Sequence, residues 1–157
     1  YMDDYFEKNI EEAQENGIDV GVYFFSQAVT TDEATKEAKY VLSNIKGRNV
    51  SLPIGFDMEP VTENDRIKAL TVEQKTEVAD AFGCIMKKHG RETLIYGNPD
   101  WIANNIDLTL LTDYEIWLAH YTSMSSFEYD YAMWQYSSTG RVDGINTNVD
   151  LNIMFVK

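Results

Sequence analysis

The segment LPIGFDMEP, residues 52–60, carries two carboxylates, Asp57 and Glu59, two residues apart at the end of an apolar run that stops at a proline. Side chains alternate along an extended strand. Leu52, Ile54, Phe56 and Met58 therefore share one face, and Pro53, Gly55, Asp57 and Glu59 share the other. Positions i and i+2 of a strand lie roughly 6.5–7 Å apart. At that range like charges repel, and partial desolvation adds to the cost. One carboxyl is then pushed to hold its proton while its neighbour stays ionised. A protonated acid beside a carboxylate is the pair that cleavage of glycosidic bonds uses. A pair of strand-end acids in water has the same spacing, so the two-residue interval alone leaves both readings open.

The elements that must position the pair follow from periodicity and caps. Residues 4–16 read as a helix, with Phe6, Ile10 and Ala13 at helical spacing and Gly17 as the stop. IDVGVYFF, 18–25, reads as a strand. Thr30 and Glu33 have capping-box spacing ahead of a helix whose buried face is Ala34, Ala38, Val41, Leu42 and Ile45, closed by Gly47. Residues 52–58 form the next strand. Thr71 and Gln74 repeat the capping-box spacing before a stripe of Val78, Ala81, Phe82, Ile85 and Met86 that ends at Gly90. TLIYG (93–97) is a strand and NPDWIANN (98–105) a short helical turn. Residues 115–121, 131–137 and 149–156 are three further strands with no long helix between them. Alternating helices and strands imply a parallel sheet with crossover helices. Eight strands would close a standard barrel, and six are visible here. The acidic pair then stands at the C-terminal mouth, where barrels of this kind do their chemistry. The chain shows no internal repeat, low-complexity tract or linker, so residues 1–157 read as a single domain.

Composition sets limits. The net charge of −13, from 26 acidic and 13 basic residues, argues against nucleic acid, whose phosphates need a basic surface. It argues equally against an anionic membrane surface. No apolar run approaches the roughly 20 residues of a membrane span. The single cysteine, Cys84, excludes an internal disulfide framework. Ten tyrosines and three tryptophans supply flat faces with polar tips, which suit sugar rings as well as cores. Tyr96, Trp117, Tyr121 and Gln135 lie on strands expected to reach the mouth, where stacking and hydrogen bonding to sugar would suit them. Trp101 and Trp134 read nearer to core.

The ordered set GIDVGVYFF, LPIGFDMEP, GRETLIYGNPDW, EIWLAHY, MWQYSSTGRVDGI and NVDLN resembles the glycoside hydrolase family 25 lysozymes, the Chalaropsis-type N-acetylmuramidases. The resemblance runs over almost the whole chain. It implies a modified, flattened TIM-like β/α barrel with a strand-rich C-terminal part. It also implies hydrolysis of the β-1,4 bond between N-acetylmuramic acid and N-acetylglucosamine in bacterial peptidoglycan. The family's D-x-E motif falls on Asp57 and Glu59. By resemblance Glu59 is the general acid, and Asp57 stabilises the positive charge near the anomeric carbon, either directly or by orienting the substrate's own N-acetyl group. The late carboxylate of V-D-x-N falls on Asp150, either a third carboxylate of the cleft or a structural acid. The resemblance further implies an opening strand with a D-V-S pattern ahead of the segment that begins at Tyr1, so the chain is expected to be incomplete at its N-terminus. The implied setting is secreted and cell-wall associated, with peptidoglycan as partner. No cofactor is required, because the chemistry is proton transfer and charge stabilisation.

Two other classes remain. An oxygen-rich metal site built from Asp57, Glu59, His120 and Asp150 is one. Neither of the two histidines lies in a ligand motif, and His89 at a helix C-terminus is a favourable dipole partner. A glycan-binding module without catalysis is the other.

Overall fold

The computed structural model describes residues 2–62 and 65–155. Helix α1 (Phe6–Glu15) leads to β1 (Val22–Phe25), α2 (Thr31–Ile45), β2 (Ile54–Asp57), α3 (Val72–Lys88), β3 (Thr93–Gly97), α4 (Pro99–Asn105), β4 (Glu115–Ala119), β5 (Met133–Gly140) and β6 (Val149–Met154). The six strands form one sheet in sequence order. β1 to β5 run parallel and β6 pairs antiparallel with β5. The order of elements and the mixed α/β class agree with the expectation from periodicity.

Several predicted strands are shorter in the fold. The first begins at Val22 rather than Ile18, because the Ile18 N–H turns back to Ala13 O at 2.9 Å and closes α1. The fourth ends at Ala119, two residues before Tyr121, where a turn from Thr122 N–H to His120 O replaces the ladder. Val156, the predicted end of the last strand, lies outside the described residues. Helix α3 starts with the reciprocal capping box between Thr71 and Gln74. At α2 only half of the box forms. Thr30 accepts from the Glu33 N–H, but the Glu33 carboxylate goes instead to Val29 N–H at 2.8 Å.

The apolar face of β2 packs outward against the helices. Ile54, Phe56 and Met58 are buried in one cluster with Ala34, Ala38 and Val41 of α2 and Val78, Phe82 and Met86 of α3. Phe82 stacks on Phe24 and lies 4.8 Å from Phe56, ring centre to ring centre. A smaller cluster of Ile102, Ile116 and Leu118 seats α4 and the loop after β4.

The opposite face is concave. Neighbouring strands are about 4.8 Å apart, so β1 and β4 would stand about 14 Å apart in a flat sheet. The rings of Tyr23 on β1 and Trp117 on β4 nevertheless meet edge to face at 6.3 Å. They meet over Gly55 of β2, where a Cβ would lie 2.9 Å from both side chains. Any larger residue there would lift the tryptophan off the strand. The sheet therefore curls around Trp117, and Gly55 is the gap that lets it.

Truncating Phe82 to alanine opens a void where α3, β1 and β2 converge. We expect Phe82→Ala to lower the unfolding free energy by about 3–5 kcal/mol in urea titrations. A loss below about 1 kcal/mol would mean that this contact does not anchor the sheet.

Candidate active site

Strand register sets one row of side chains across the concave face. Phe25, Asp57, Tyr96, Trp117 and Met133 are paired in succession on β1 to β5. Glu59 lies two residues beyond Asp57, past the C-terminal end of β2, on the same side by alternation. Asp57 and Glu59 are thus brought together, and each is lifted above the usual carboxylate range. Burial is the main cause for both. Asp57 is pushed up to about 7, with the nearby Glu59 charge adding to the effect of burial. Glu59 is raised by burial. Asp57 is 8% exposed, and its Oδ1 has no hydrogen-bond partner within the protein. An unpaired carboxylate oxygen out of water is costly, so this site strongly favours a proton or an incoming donor.

The aromatic wall beside the pair is itself tied down. Tyr96 Oη donates to Gln135 Oε1 at 2.9 Å, and Tyr121 Oη donates to the same oxygen at 2.8 Å. Gln135 is 3% exposed, so its amide anchors both phenols. Burial, then Tyr121 and the Glu59 charge, hold Tyr96 well above the ordinary phenol range, so it stays a neutral donor. Trp117 meets the Tyr96 ring edge to face at 4.9 Å. The sequence-predicted Tyr96, Trp117, Tyr121 and Gln135 therefore form one connected group adjoining the carboxylates.

Asp150 stands on β6 at the exposed edge of the same face. Gln135 pairs with Asn152, and Asp150 is two residues nearer the mouth because β6 runs antiparallel. Asn152 was not apparent from sequence. Its Oδ1 accepts from Trp117 Nε1 at 2.8 Å and fixes the indole across the groove. The i+2 interval to Asp150 in V-D-x-N was the available signal. Tyr23, two residues before Phe25, was missed in the same way.

Other predicted residues lie elsewhere. Trp134 Nε1 donates to His120 O at 2.8 Å. Trp101 packs on the helix-side core beneath the Lys75 ammonium. His120 Nδ1 bonds Ser125 Oγ at 3.1 Å in the loop after β4. Among the described residues no group of three or more His, Cys, Asp or Glu is placed to hold a metal ion. A cavity of about 820 Å³ lies under α1, β1 and α2, lined by Phe6, Ile10, Phe24 and Val41 among others; neither Asp57 nor Glu59 lines it.

A mostly parallel α/β sheet thus carries at its C-terminal edge a buried Asp57 and a half-buried Glu59 beside aromatic side chains, groups that can exchange a proton and face a flat polar ligand. The family model for glycosyl hydrolases family 25 matches residues 1–145, and the chain belongs to that family. Among its relatives, YegX of Escherichia coli K12 is 29% identical over 155 residues, covering 97% of this chain and 54% of YegX. Lysozyme M1 of Streptomyces globisporus is 29% identical over 163 residues, covering 97% of this chain and 55% of the lysozyme. The chain spans about half the length of these curated relatives. The crystal structure of the bacterial lysozyme from Streptomyces coelicolor superposes with a TM-score of 0.81 at 26% identity, covering 98% of this chain and 75% of that one.

The burial of Asp57 has a signed consequence. Its folded pKa of about 7 exceeds the unfolded value of about 3.9. The folded state therefore binds the extra proton between those limits, and stability falls as pH rises through them. Asp57→Asn removes the charge. After allowance for partial solvent screening, we expect the variant to exceed the parent by about 2 kcal/mol at pH 8 and to match it at pH 3.5, by urea unfolding at both pH values. An equal difference at both pH values would show that the carboxyl is not held protonated by the fold.

Proposed function

We propose that residues 1–157 form the single catalytic domain of a lysozyme that cleaves the β-1,4 bond between N-acetylmuramic acid and N-acetylglucosamine in bacterial peptidoglycan. The observation that carries this reading is the Asp57–Glu59 pair, desolvated and like-charged beside the Tyr96–Trp117–Tyr121–Gln135 wall. Family membership and the likeness to Lysozyme M1 support it. We also take the curled sheet to be an arc of a flattened TIM-like β/α barrel. Its parallel strands, outer helices and inward row of side chains favour that geometry. The substrate places the protein outside the cell, at the wall.

In this reading Glu59 protonates the leaving oxygen, and Asp57 stabilises the positive charge that develops at the anomeric carbon. In the unliganded site the larger upward shift belongs to Asp57 rather than Glu59. The two fit together through the unpartnered Asp57 Oδ1. An N–H from the substrate's N-acetyl group donating there favours the Asp57 anion. The pair's one proton then resides on Glu59, poised for transfer. The Tyr96 and Tyr121 rings and the indole of Trp117 offer faces to the sugar rings, and the two phenol oxygens, whose hydrogens go to Gln135, can accept from sugar hydroxyls. Asp150 at the rim is the third carboxylate of the cleft.

Glu59→Gln removes the transferable proton and keeps the shape. Release of reducing ends from purified peptidoglycan should fall by about 10²–10⁴-fold while binding of the glycan persists. Cleavage by Glu59→Gln at the parent rate would contradict the assignment. A parent chain that binds the glycan and never cleaves it would establish a binding module instead.

A further inference from the structure

Helix α2 buries a carboxylate that the reaction above does not use. Glu37 is half-buried and sits in the apolar stripe formed by Ala34, Ala38 and Val41. Burial raises its pKa, and hydrogen bonds from Ser26 and Gln27 oppose that rise. A charge in such a stripe contributes little to stability compared with an apolar side chain of the same size. Its partners suggest another purpose. Ser26 Oγ donates to Glu37 Oε2 at 2.6 Å, and the Gln27 N–H donates to Glu37 Oε1 at 3.1 Å. Ser26 Oγ in turn accepts from the Ala28 N–H at 3.2 Å. Ser26 is fully buried, and its own N–H donates to the carbonyl oxygen of Asp57 at 2.7 Å.

This makes a continuous path of short bonds from α2, through the turn after β1, to the backbone of the residue that carries the deepest carboxyl. A second α2 carboxylate holds the far side. Glu33 accepts from Val29 N–H and from the Arg66 guanidinium at 2.9 and 3.1 Å. Arg66 opens the 3₁₀ turn Arg66–Ala69 on the connection that leaves Glu59. The Glu33–Arg66 contact is solvent-exposed and of the weak surface kind. The Glu37–Ser26 contact is sheltered and is the stiffer of the two.

We propose that Glu37 is a positioning residue for hydrolysis: through Ser26 it fixes the backbone of Asp57, and so the placement of the Asp57 carboxyl relative to Glu59. The proposal rests on the lysozyme reading. In this role Glu37 acts through Ser26 and not on the reacting atoms themselves. What it removes is slack at the end of β2, where a displacement of about 1 Å can cost about 10²-fold in rate.

The test is steady-state hydrolysis of purified soluble peptidoglycan glycan strands by the parent, Glu37→Leu, Glu37→Gln and Ser26→Ala, with kcat expressed per folded molecule by near-ultraviolet circular dichroism. Glu37→Leu should lower kcat by about 10–100-fold with KM within about twofold of the parent. Glu37→Gln keeps an oxygen for the Gln27 N–H and lets the Ser26 hydroxyl turn, so it should recover to within about fivefold of the parent. Ser26→Ala, which keeps the backbone bond to Asp57, should lower kcat by about 3–10-fold and be non-additive with Glu37→Gln. It carries the test if Glu37→Leu does not fold. An unchanged kcat per folded molecule in Ser26→Ala and in any folded Glu37→Leu, with an active parent, overturns the positioning role and leaves the lysozyme reading intact. An inactive parent overturns both.

Discussion

A single carboxylate oxygen held out of water without a partner governs the layout of this structure. Asp57 Oδ1 has no hydrogen bond within the protein, and the neighbouring Glu59 charge makes ionisation harder still. Folding must therefore supply enough packing elsewhere to keep that group in place. It does so on the reverse side of the same strand. Ile54, Phe56 and Met58 are almost wholly enclosed by α2 and α3. Strand alternation thus lets one four-residue element serve as both core and site. The concave side stays narrow because Gly55 has no side chain, which lets Trp117 lie across the strand and meet Tyr23.

Hydrogen bonding divides the site into fixed and available groups. Gln135 consumes the hydroxyl donors of Tyr96 and Tyr121 through one oxygen, and Asn152 holds the Trp117 indole. These side chains are preorganised, so a ligand meets a formed wall rather than ordering one on arrival. The unsatisfied atom is left at Asp57, next to Glu59. A site of this kind stores its electrostatic cost in the unliganded protein and releases it when a donor or a developing positive charge arrives. The lower stability expected at neutral pH and the proposed catalysis are two results of one arrangement.

Much of this was legible in the sequence because it depends on short-range rules. The alternation in 52–59 separated the core face from the acidic face. The capping boxes located two helices, and the helix–strand alternation gave the parallel sheet. Tyr96, Trp117, Tyr121 and Gln135 were expected near one another, and the fold joins them. What was not legible depends on distant partners. Ile18 is as apolar as a strand residue, but its N–H is used to close α1. Glu33 has capping-box spacing, but Val29 and Arg66 compete for its carboxylate. Glu37 reads as one polar residue of an amphipathic helix, and its bond to Ser26 appears only when β1 and α2 are packed. Asn152 and Tyr23 are ordinary strand residues until the sheet curls. Periodicity and caps report on a chain's local conformation, whereas these contacts arise from tertiary packing.

The protonation of the pair can be followed directly by carbon-13 NMR, reading the side-chain carboxyl carbons of Asp57 and Glu59 in the folded protein from pH 3 to 9. The two signals should titrate together in two coupled steps, with a major step near pH 7 on Asp57. Two independent single-step curves with midpoints near the solvated values of about 4 would show that the carboxyls are neither desolvated nor interacting, and the site described here would not exist.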